Sequence, residues 1–213
     1  GWVTVSSTEN LVKYLNPDEM GFYEDEVVTI DGVQYRFDEN GYRVRDRRAE
    51  YVGSDFYLEV DRVNGIVTVY SDSSKTIPIY SDRVSVGLPW METPLVTNQI
   101  IHSANRWEPL IGPSWGQYGV HVIEGIYFHS VPCDEPNPYN VPPEEYYKLG
   151  SPASHGCIRV TVATAKWIYQ NCNGCPVTIF DGAYVEDDAR KGPLGKPPIV
   201  PMTGNFDPTD TFV

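Results

Sequence analysis

One short segment of the chain combines an imidazole and a thiol that could do covalent chemistry. It reads Ser154-His155-Gly156-Cys157 and is followed by Ile158-Arg159. A cysteine that directly follows glycine and precedes a predicted helix can lie on a tight turn, with backbone N–H groups around its sulfur. Such donors stabilise both a thiolate and the oxyanion that forms when sulfur attacks a carbonyl. The segment therefore predicts Cys157 as a nucleophile.

A nucleophilic sulfur needs a base, and His129 is the predicted one. It lies in the apolar run Ile126-Tyr127-Phe128-His129-Ser130, which predicts a strand whose end can aim the imidazole at the thiol. We expect the imidazole to favour an ionised sulfur, and Ser130 is placed to orient the ring. His121 precedes the turn signal Glu124-Gly125 and is predicted to have a structural role on the neighbouring strand.

The elements that must position these residues are predicted to be mainly β-strands. From residue 51 onward, β-branched and aromatic runs recur about every 8 to 12 residues, the spacing of a β-sandwich or barrel. The predicted strands are 56–60, 65–70, 76–80, 83–86, 98–102, 118–123, 126–130 and 176–180. One principal helix is predicted, capped by Thr161 and ending before Asn173-Gly174.

Two proline-rich segments are predicted to lack regular structure. Segment 131–150 is predicted to be a long lid loop, with at most one helical turn at 144–148, because a loop of this length in a compact domain is usually functional. Segment 183–213 is predicted to be a C-terminal tail that either packs along the domain or stays mobile. The catalytic domain between the N-terminal segment and this tail is predicted to span 49–182.

The N-terminal segment, residues 1–48, repeats with a period of 20 residues. Its repeat markers are the glycine–aromatic pairs Gly1-Trp2, Gly21-Phe22 and Gly41-Tyr42, with turn signals around Tyr35-Arg36-Phe37. This pattern predicts stacked β-hairpins, with further repeats upstream of Gly1. The aromatic side chains could cage a ligand or pack on the following domain, and the sequence leaves both roles open.

Composition excludes several classes of function. The chain has 213 residues, of which 41% are hydrophobic, and this predicts one good-sized soluble domain with a small appendage. Its formal net charge is −13, and no basic run exceeds Arg45-Asp46-Arg47-Arg48, so nucleic acid is not an expected partner. No membrane-spanning or signal-peptide pattern is present, so we expect either a cytoplasmic protein or a trimmed piece of a longer chain.

The segments that contain the predicted nucleophile and base also resemble the active site of a known family. Ser154-His155-Gly156-Cys157-Ile158-Arg159, preceded by Phe128-His129-Ser130-Val131-Pro132, is similar to the active site of L,D-transpeptidases with a YkuD-type catalytic domain. The resemblance covers about residues 51 to 182, and the N-terminal repeats resemble choline-binding-like repeats of cell-wall-binding modules. It implies a mainly β, YkuD-like sandwich with one principal helix and a long lid loop, preceded by β-hairpin repeats.

The resemblance also implies roles for single residues. Cys157 would be the nucleophile, His129 the base, and Ser130 the orienting group through its side chain or its carbonyl. His155, Gly156 and the nucleophile itself would supply oxyanion contacts. Arg159 would bind a substrate carboxylate or stabilise the loop. Independently of the resemblance, Tyr127 and Tyr118 are aromatic residues that could line a groove for peptide or glycan and are predicted to bind substrate.

The implied reaction is acyl transfer on peptidoglycan. The thiol would attack a stem tetrapeptide, release D-Ala and pass the acyl group to an amine, which forms a 3→3 crosslink. No metal or organic cofactor is needed. The resemblance further implies acylation by carbapenem β-lactams, a wall polymer bound by the repeats, and a monomeric, extracellular, wall-associated protein of a Gram-positive bacterium.

Several alternatives stay open at this stage. The thioester could go to water, which makes an L,D-carboxypeptidase, or the chain could be a wall-binding scaffold that does not use its thiol. The remaining cysteines, Cys133, Cys172 and Cys175, could form one disulfide in any pairing that includes Cys172 or Cys175, a redox motif, or a zinc site with a histidine.

Overall fold

The computed structural model describes residues 1–212, so Val213, the last residue of the predicted tail, lies outside it. The strands are β1 Trp2–Ser6, β2 Leu11–Tyr14, β3 Val27–Ile30, β4 Val33–Arg36, β5 Tyr57–Asp61, β6 Ile66–Tyr70, β7 Pro78–Arg83, β8 Val96–Ile100, β9 His102–Ser103, β10 Trp107–Pro109, β11 Trp115–Gln117, β12 Val120–Ile123, β13 Ile126–Ser130, β14 Ile158–Val160 and β15 Pro176–Phe180. The helices are α1 Pro143–Tyr146 and α2 Val162–Asn171, and two 3₁₀ turns cover Arg48–Glu50 and Asp188–Arg190.

Two sheets and α2 share the main hydrophobic core. A five-stranded sheet has the order β7-β6-β5-β15-β8, and a four-stranded sheet has the order β14-β13-β12-β9. Both sheets and the helix bury β-branched and aromatic side chains in one cluster, including Leu58, Val69, Ile179, Phe128, Val160 and Ile168. The predicted mainly β fold with one principal helix is confirmed.

The start of α2 depends on the C-terminal tail. The Thr161 side chain caps the helix by accepting the Thr164 N–H, as the sequence predicts. The fully buried carboxylate of Asp207 accepts the Val162 N–H at 2.8 Å. The tail therefore satisfies a helix-end donor that would otherwise lack a partner, and through this contact it packs along the domain.

The strand predictions for residues 76–86 need a correction. Instead of two strands, the chain forms the single strand β7, and Ser85 beyond it pairs with Arg159 at the edge of the other sheet. The Ser85 N–H donates to the Arg159 carbonyl at 2.9 Å. The polar pair Ser81-Asp82 separates the two predicted strands, but both side chains are buried and hydrogen-bond to Gly195 and Thr161, which lie outside β7.

The N-terminal residues form two hairpins, β1–β2 and β3–β4, whose aromatic rings pack on one another. The Trp2 ring makes edge contacts with Tyr14 and Tyr35 at centroid distances of 4.9 and 4.7 Å. Phe37 is fully buried in the same cluster, together with Leu194 of the tail. The packing role is therefore present in the structure, and a ligand-binding role of the hairpins stays a prediction.

Polar contacts join these hairpins to the segment that follows β15. Buried Arg43 donates to the carbonyls of Pro193 and Ala189 at 2.8 and 2.9 Å, and Asp187 accepts from the Thr4 hydroxyl at 2.8 Å.

Within residues 1–212, no helix has both the length and the apolar character needed to cross a bilayer.

Candidate active site

A cleft of about 320 Å³ lies between the β10–β11 hairpin and the turn that carries Cys157. Its lining residues are Glu108, Pro109, Leu110, Ile111, Ser114, Gly125, Tyr127, His129, Pro132, Ser154, His155, Cys157 and Arg159. The hairpin supplies most of one wall, whereas the predicted lid segment 131–150 contributes only Pro132. The sequence did not predict the hairpin, because its strands are short and contain proline and glycine.

The predicted nucleophile and base lie on the same face of a parallel strand pair. β13 and β14 pair with His129 opposite Arg159. Cys157 precedes Arg159 by two residues, and since side chains alternate along extended chain, both point to the face that carries His129. Cys157 and His129 are thus diagonal neighbours across this parallel pair. Both side chains reach the cleft.

The contacts of His129 define which ring nitrogen can act as a base. Its Nδ1 lies 2.6 Å from the Ser130 carbonyl oxygen, which can only accept a hydrogen bond. Nδ1 therefore carries the proton, and Nε2 keeps its lone pair. Burial, together with the nearby charge of Arg159, lowers the pKa of His129 to about 4, although the hydrogen bond to Ser130 opposes the shift. The imidazole is neutral at neutral pH and can accept a proton.

Cys157 is half-buried, and its thiol donates to the Gly125 carbonyl at 3.6 Å. Burial raises the pKa of this thiol, although a backbone hydrogen bond from Tyr127 and the charge of Arg159 oppose the shift. The resting pair is therefore a neutral thiol beside a neutral imidazole. This corrects the expected ionised sulfur: the proton has to leave the thiol as the sulfur attacks.

A hydrogen-bonded turn presents the thiol. The Ser154 hydroxyl accepts the Gly156 N–H at 3.1 Å and donates to the Cys157 carbonyl at 2.5 Å. Gly156 has a φ of +116°, and a Cβ there would lie 2.8 Å from Ile126 Cδ1, so only glycine fits. Because the Gly156 amide already donates to Ser154, it is not available as an oxyanion donor, contrary to expectation. His155 is exposed at the edge of the cleft.

Thr93 supports the site, a role that the sequence does not predict. Its fully buried hydroxyl donates to the Gly156 carbonyl at 2.7 Å and accepts the Gly87 N–H at 2.9 Å. It therefore fixes the turn before Cys157 from a loop 63 residues away in sequence. No local pattern indicates a contact at that separation.

The structure separates the two orienting roles considered for Ser130. Its hydroxyl accepts the Gln117 N–H at 2.8 Å and donates to the Val131 carbonyl at 3.1 Å. The hydroxyl therefore connects β13 to β11, and the carbonyl of Ser130 holds the His129 ring.

The two tyrosines proposed to bind substrate lie in different places. Tyr127 lines the cleft, but Tyr118 is buried in the main core, with the Arg106 guanidinium 4.0 Å from its ring centroid. Tyr118 has a φ of +54°, which breaks the extended chain between β11 and β12. It does not line the cleft, so its predicted substrate-binding role is not supported.

Arg159 is paired within the protein. Its Nη1 donates to Glu145 Oε2 on α1 at 2.7 Å, and its side chain is 10% exposed. Of the two roles that the resemblance implied, the structure contains the loop-stabilising contact. The guanidinium nevertheless lines the cleft, next to His129.

Replacing Glu145 by glutamine tests this ion pair. We expect Glu145→Gln to lower the free energy of unfolding by about 1 to 3 kcal/mol, because Arg159 keeps its buried charge but loses the carboxylate. Urea unfolding measures the change. Glu144→Gln, at the exposed neighbour on the same helix, is the control and should leave the midpoint unchanged. Equal midpoints for both variants would show that the pair adds no stability.

Gly116 on β11 lies directly against the imidazole. A Cβ at this position would lie 2.7 Å from Nδ1 and 2.8 Å from Cγ of His129. Such contacts are too short, so any larger residue must displace the buried ring or the hairpin.

We therefore expect Gly116→Ala to lower kcat/KM about 100-fold, the effect of misplacing a reacting group by about 1 Å. Turnover of a stem tetrapeptide, the substrate that the resemblance implies, measures the loss of activity, and a thermal unfolding curve measures any loss of stability. Gly21→Ala, where a Cβ meets open space, is the matched control. A fully active Gly116→Ala enzyme would show that the ring position tolerates this crowding.

The other cysteines lie outside the cleft. Cys133 is buried and its thiol donates to the Glu135 carbonyl at 2.9 Å, whereas Cys172 and Cys175 are buried in the main core. All four cysteines are free. Across residues 1–212, no group of three or more His, Cys, Asp or Glu side chains is arranged to hold a metal ion.

Comparison with known proteins gives a family match over most of the two-sheet domain. The family model described as YkuD, L,D-transpeptidase catalytic domain, matches residues 55–179. YciB of Bacillus subtilis strain 168, which carries a provisional L,D-transpeptidase designation, is 45% identical over 58 residues. That alignment covers 27% of this chain and 26% of YciB. The chain thus spans about a quarter of the curated relative it matches.

Solved structures give weaker matches. The L,D-transpeptidase LdtMt1 in complex with imipenem is 21% identical with a TM-score of 0.47, covering 60% of each chain. L,D-transpeptidase 3 from Mycobacterium tuberculosis, in complex with a faropenem-derived adduct, is 19% identical with a TM-score of 0.46, again covering 60% of each chain.

Proposed function

The chain belongs to the family of YkuD L,D-transpeptidase catalytic domains, and from this premise we propose that it transfers acyl groups between peptidoglycan stem peptides through a thioester on Cys157. One observation carries the proposal. A half-buried thiol and a buried, neutral imidazole lie on one face of β13 and β14 and both line an open cleft. That pair is what nucleophilic attack on an amide carbonyl needs.

The first half-reaction cleaves the bond between the third residue of the stem and D-Ala. Cys157 Sγ attacks the carbonyl carbon, its proton goes to His129 Nε2, and the backbone amides of His155 and Cys157 stabilise the oxyanion. When the tetrahedral intermediate collapses, the C–N bond breaks and the imidazolium protonates the leaving nitrogen. D-Ala departs, and the acyl group remains on sulfur as a thioester.

The second half-reaction passes the acyl group to an amine of a neighbouring stem. The neutral amine attacks the thioester carbon, His129 takes a proton from nitrogen, and the C–S bond breaks. The imidazolium then returns the proton to sulfur, which restores the thiol. The product is a 3→3 crosslink. With water in place of the amine, the same steps hydrolyse the thioester, which is the reaction of an L,D-carboxypeptidase.

The substrate sets the proposed location and partners. Peptidoglycan lies outside the cytoplasmic membrane, so the proposal places the protein outside the cell, associated with the wall of a Gram-positive bacterium. The N-terminal hairpins would bind a wall polymer, and the protein would act as a monomer. A carbapenem would inhibit it, because opening of the strained lactam by Cys157 also gives a thioester.

Product analysis with a stem tetrapeptide tests the function. With an acceptor stem present, we expect D-Ala release together with a crosslinked dimer. D-Ala release without dimer would identify a carboxypeptidase instead. If neither product forms, the chain is not an enzyme of this kind, and the wall-binding scaffold becomes the better description.

A further inference from the structure

Glu108 is a buried carboxylate on the cleft wall. It is 6% exposed, and its Oε2 accepts hydrogen bonds from the Asn105 side chain at 2.9 Å and the Asn105 backbone at 3.3 Å. Among the ion pairs within residues 1–212, none includes Glu108. A buried charge without a countercharge is costly, so its retention calls for an explanation.

The hairpin register places this carboxylate beside the reacting groups. In the β10–β11 pair, Glu108 lies opposite Gly116, the residue that contacts the His129 ring. Glu108 lines the same cleft as Cys157, and its negative charge helps to raise the pKa of that thiol and of the Tyr127 phenol. The carboxylate is therefore close enough to act on whatever enters the cleft.

The balance of charge in the cleft favours a cationic ligand. Among the cleft-lining residues, Arg159 is the one permanent cation, and Glu145 on α1 already pairs with it at 2.7 Å. His129 is neutral. What remains is the negative charge of Glu108, which accepts hydrogen bonds from Asn105 but has no cationic partner among residues 1–212. A ligand that brings an ammonium group would complete the pairing.

We propose that Glu108 binds the ammonium form of the acceptor amine and positions it for attack on the thioester. The proposal rests on the acyl-transfer function. The donor presents a neutral peptide bond to Cys157, whereas an alkylamine of pKa about 10.4 arrives as a cation at neutral pH. A fixed carboxylate raises the local concentration of that cation and holds its nitrogen near the acyl group.

The acceptor nitrogen gives up two protons during the transfer. The bound ammonium first loses one proton to solvent by way of the carboxylate, which gives the neutral amine. The amine nitrogen then forms the new C–N bond as the C–S bond breaks. The second nitrogen proton passes through His129 to sulfur, so the step yields an amide, a free thiol and one proton released. Glu108 is thus a residue that selects the acceptor, and it does not take part in forming the thioester.

The test compares two small acceptors on the full chain. Methylamine is a cation at neutral pH, and hydroxylamine is uncharged. With a stem tetrapeptide as donor, the single-turnover release of D-Ala before any acceptor is added reports the first half-reaction, and the methylamide and hydroxamate products report the second. Glu108→Gln keeps the size of the side chain and an oxygen that can accept from Asn105. Glu39→Gln, at an exposed hairpin turn, removes the same charge outside the cleft.

We expect Glu108→Gln to lower kcat/KM for methylamine about 10- to 100-fold, the range expected for loss of one charged hydrogen bond. D-Ala release and hydroxamate formation should change far less, so that the ratio of methylamide to hydroxamate falls by this factor, and Glu39→Gln should match the wild type in all three. Unchanged methylamine transfer would overturn the assignment. An equal fall of all three rates would also overturn it. A fall in D-Ala release alone would do the same, because it would indicate that Glu108 binds the donor peptide.

The outcomes also separate this proposal from the function on which it depends. If the wild type releases no D-Ala, the acyl-transfer function fails, and the role of Glu108 fails with it. If the wild type is active and Glu108→Gln transfers methylamine equally well, only the role of Glu108 is wrong.

Discussion

An enzyme carrying Cys157→Ala is expected to release no measurable D-Ala and form no crosslinked dimer, a loss of about 10⁴-fold or more. The loss is this large because the thioester cannot form without the sulfur, and Cys157 is the one thiol among the cleft-lining residues. Folding should be little affected, since the thiol is half-buried and makes one long hydrogen bond, to Gly125. D-Ala release, dimer yield and a thermal unfolding curve measure these outcomes.

Another cysteine provides the control for this substitution. Cys133 is buried outside the cleft, and its thiol donates to the Glu135 carbonyl, a bond that a serine hydroxyl can also make. We expect Cys133→Ser to retain activity. Substantial D-Ala release by a well-folded Cys157→Ala variant would mean that a different group attacks the stem peptide.

Replacing the base has the second-largest expected effect. We expect His129→Gln to lower kcat/KM by about 10²- to 10⁴-fold, the usual contribution of a positioned general base. Glutamine can still donate to the Ser130 carbonyl, but its amide cannot take the thiol proton. Steady-state kinetics with a stem tetrapeptide measure the loss. A decrease of less than about tenfold would show that the proton goes elsewhere.

The pH profile of the wild type checks the same base. The imidazole must be neutral to act, and its pKa is lowered from 6.5 to about 4. We therefore expect kcat/KM to stay high as the pH falls through 6.5 and to drop only near pH 4. A drop centred at 6.5 would indicate an exposed, unperturbed histidine as the base.

The same shift links stability to pH. Between pH 6.5 and about 4 the unfolded imidazole binds a proton and the buried native imidazole does not. The unfolded state is therefore favoured as the pH falls through this range. We expect the urea midpoint of the wild type to fall progressively as the pH is lowered from 6.5 to about 4. His129→Gln should remove this part of the pH dependence.

Local patterns were enough to predict most of the fold. Strands such as β6 and β15 are β-branched runs with clear ends, and α2 has the capping residue Thr161 directly before its first turn. The single strand β7 was predicted as two, because Ser81-Asp82 suggests a turn unless one knows that both side chains find buried partners. Those partners, Gly195 and Thr161, are distant in sequence.

The site was predictable only in part for the same reason. Cys157 and His129 stood out as reactive side chains in a short motif, and the structure brings both to one cleft. Thr93, Gly116 and Glu145 support them through contacts made by other loops and strands, and no local spacing marks these contacts. Tyr118 was misplaced because a single backbone angle turns it into the core.

The most direct test of the account is to trap the acyl-enzyme. The full chain is mixed with a stem tetrapeptide without acceptor, quenched rapidly in acid, and measured by intact-mass spectrometry and peptide mapping. If acyl transfer proceeds through a thioester, we expect an added mass equal to the tetrapeptide minus D-Ala, carried by the peptide that contains Cys157 and removed by hydroxylamine. Release of D-Ala while Cys157 stays unmodified, or an adduct on another residue, would contradict it.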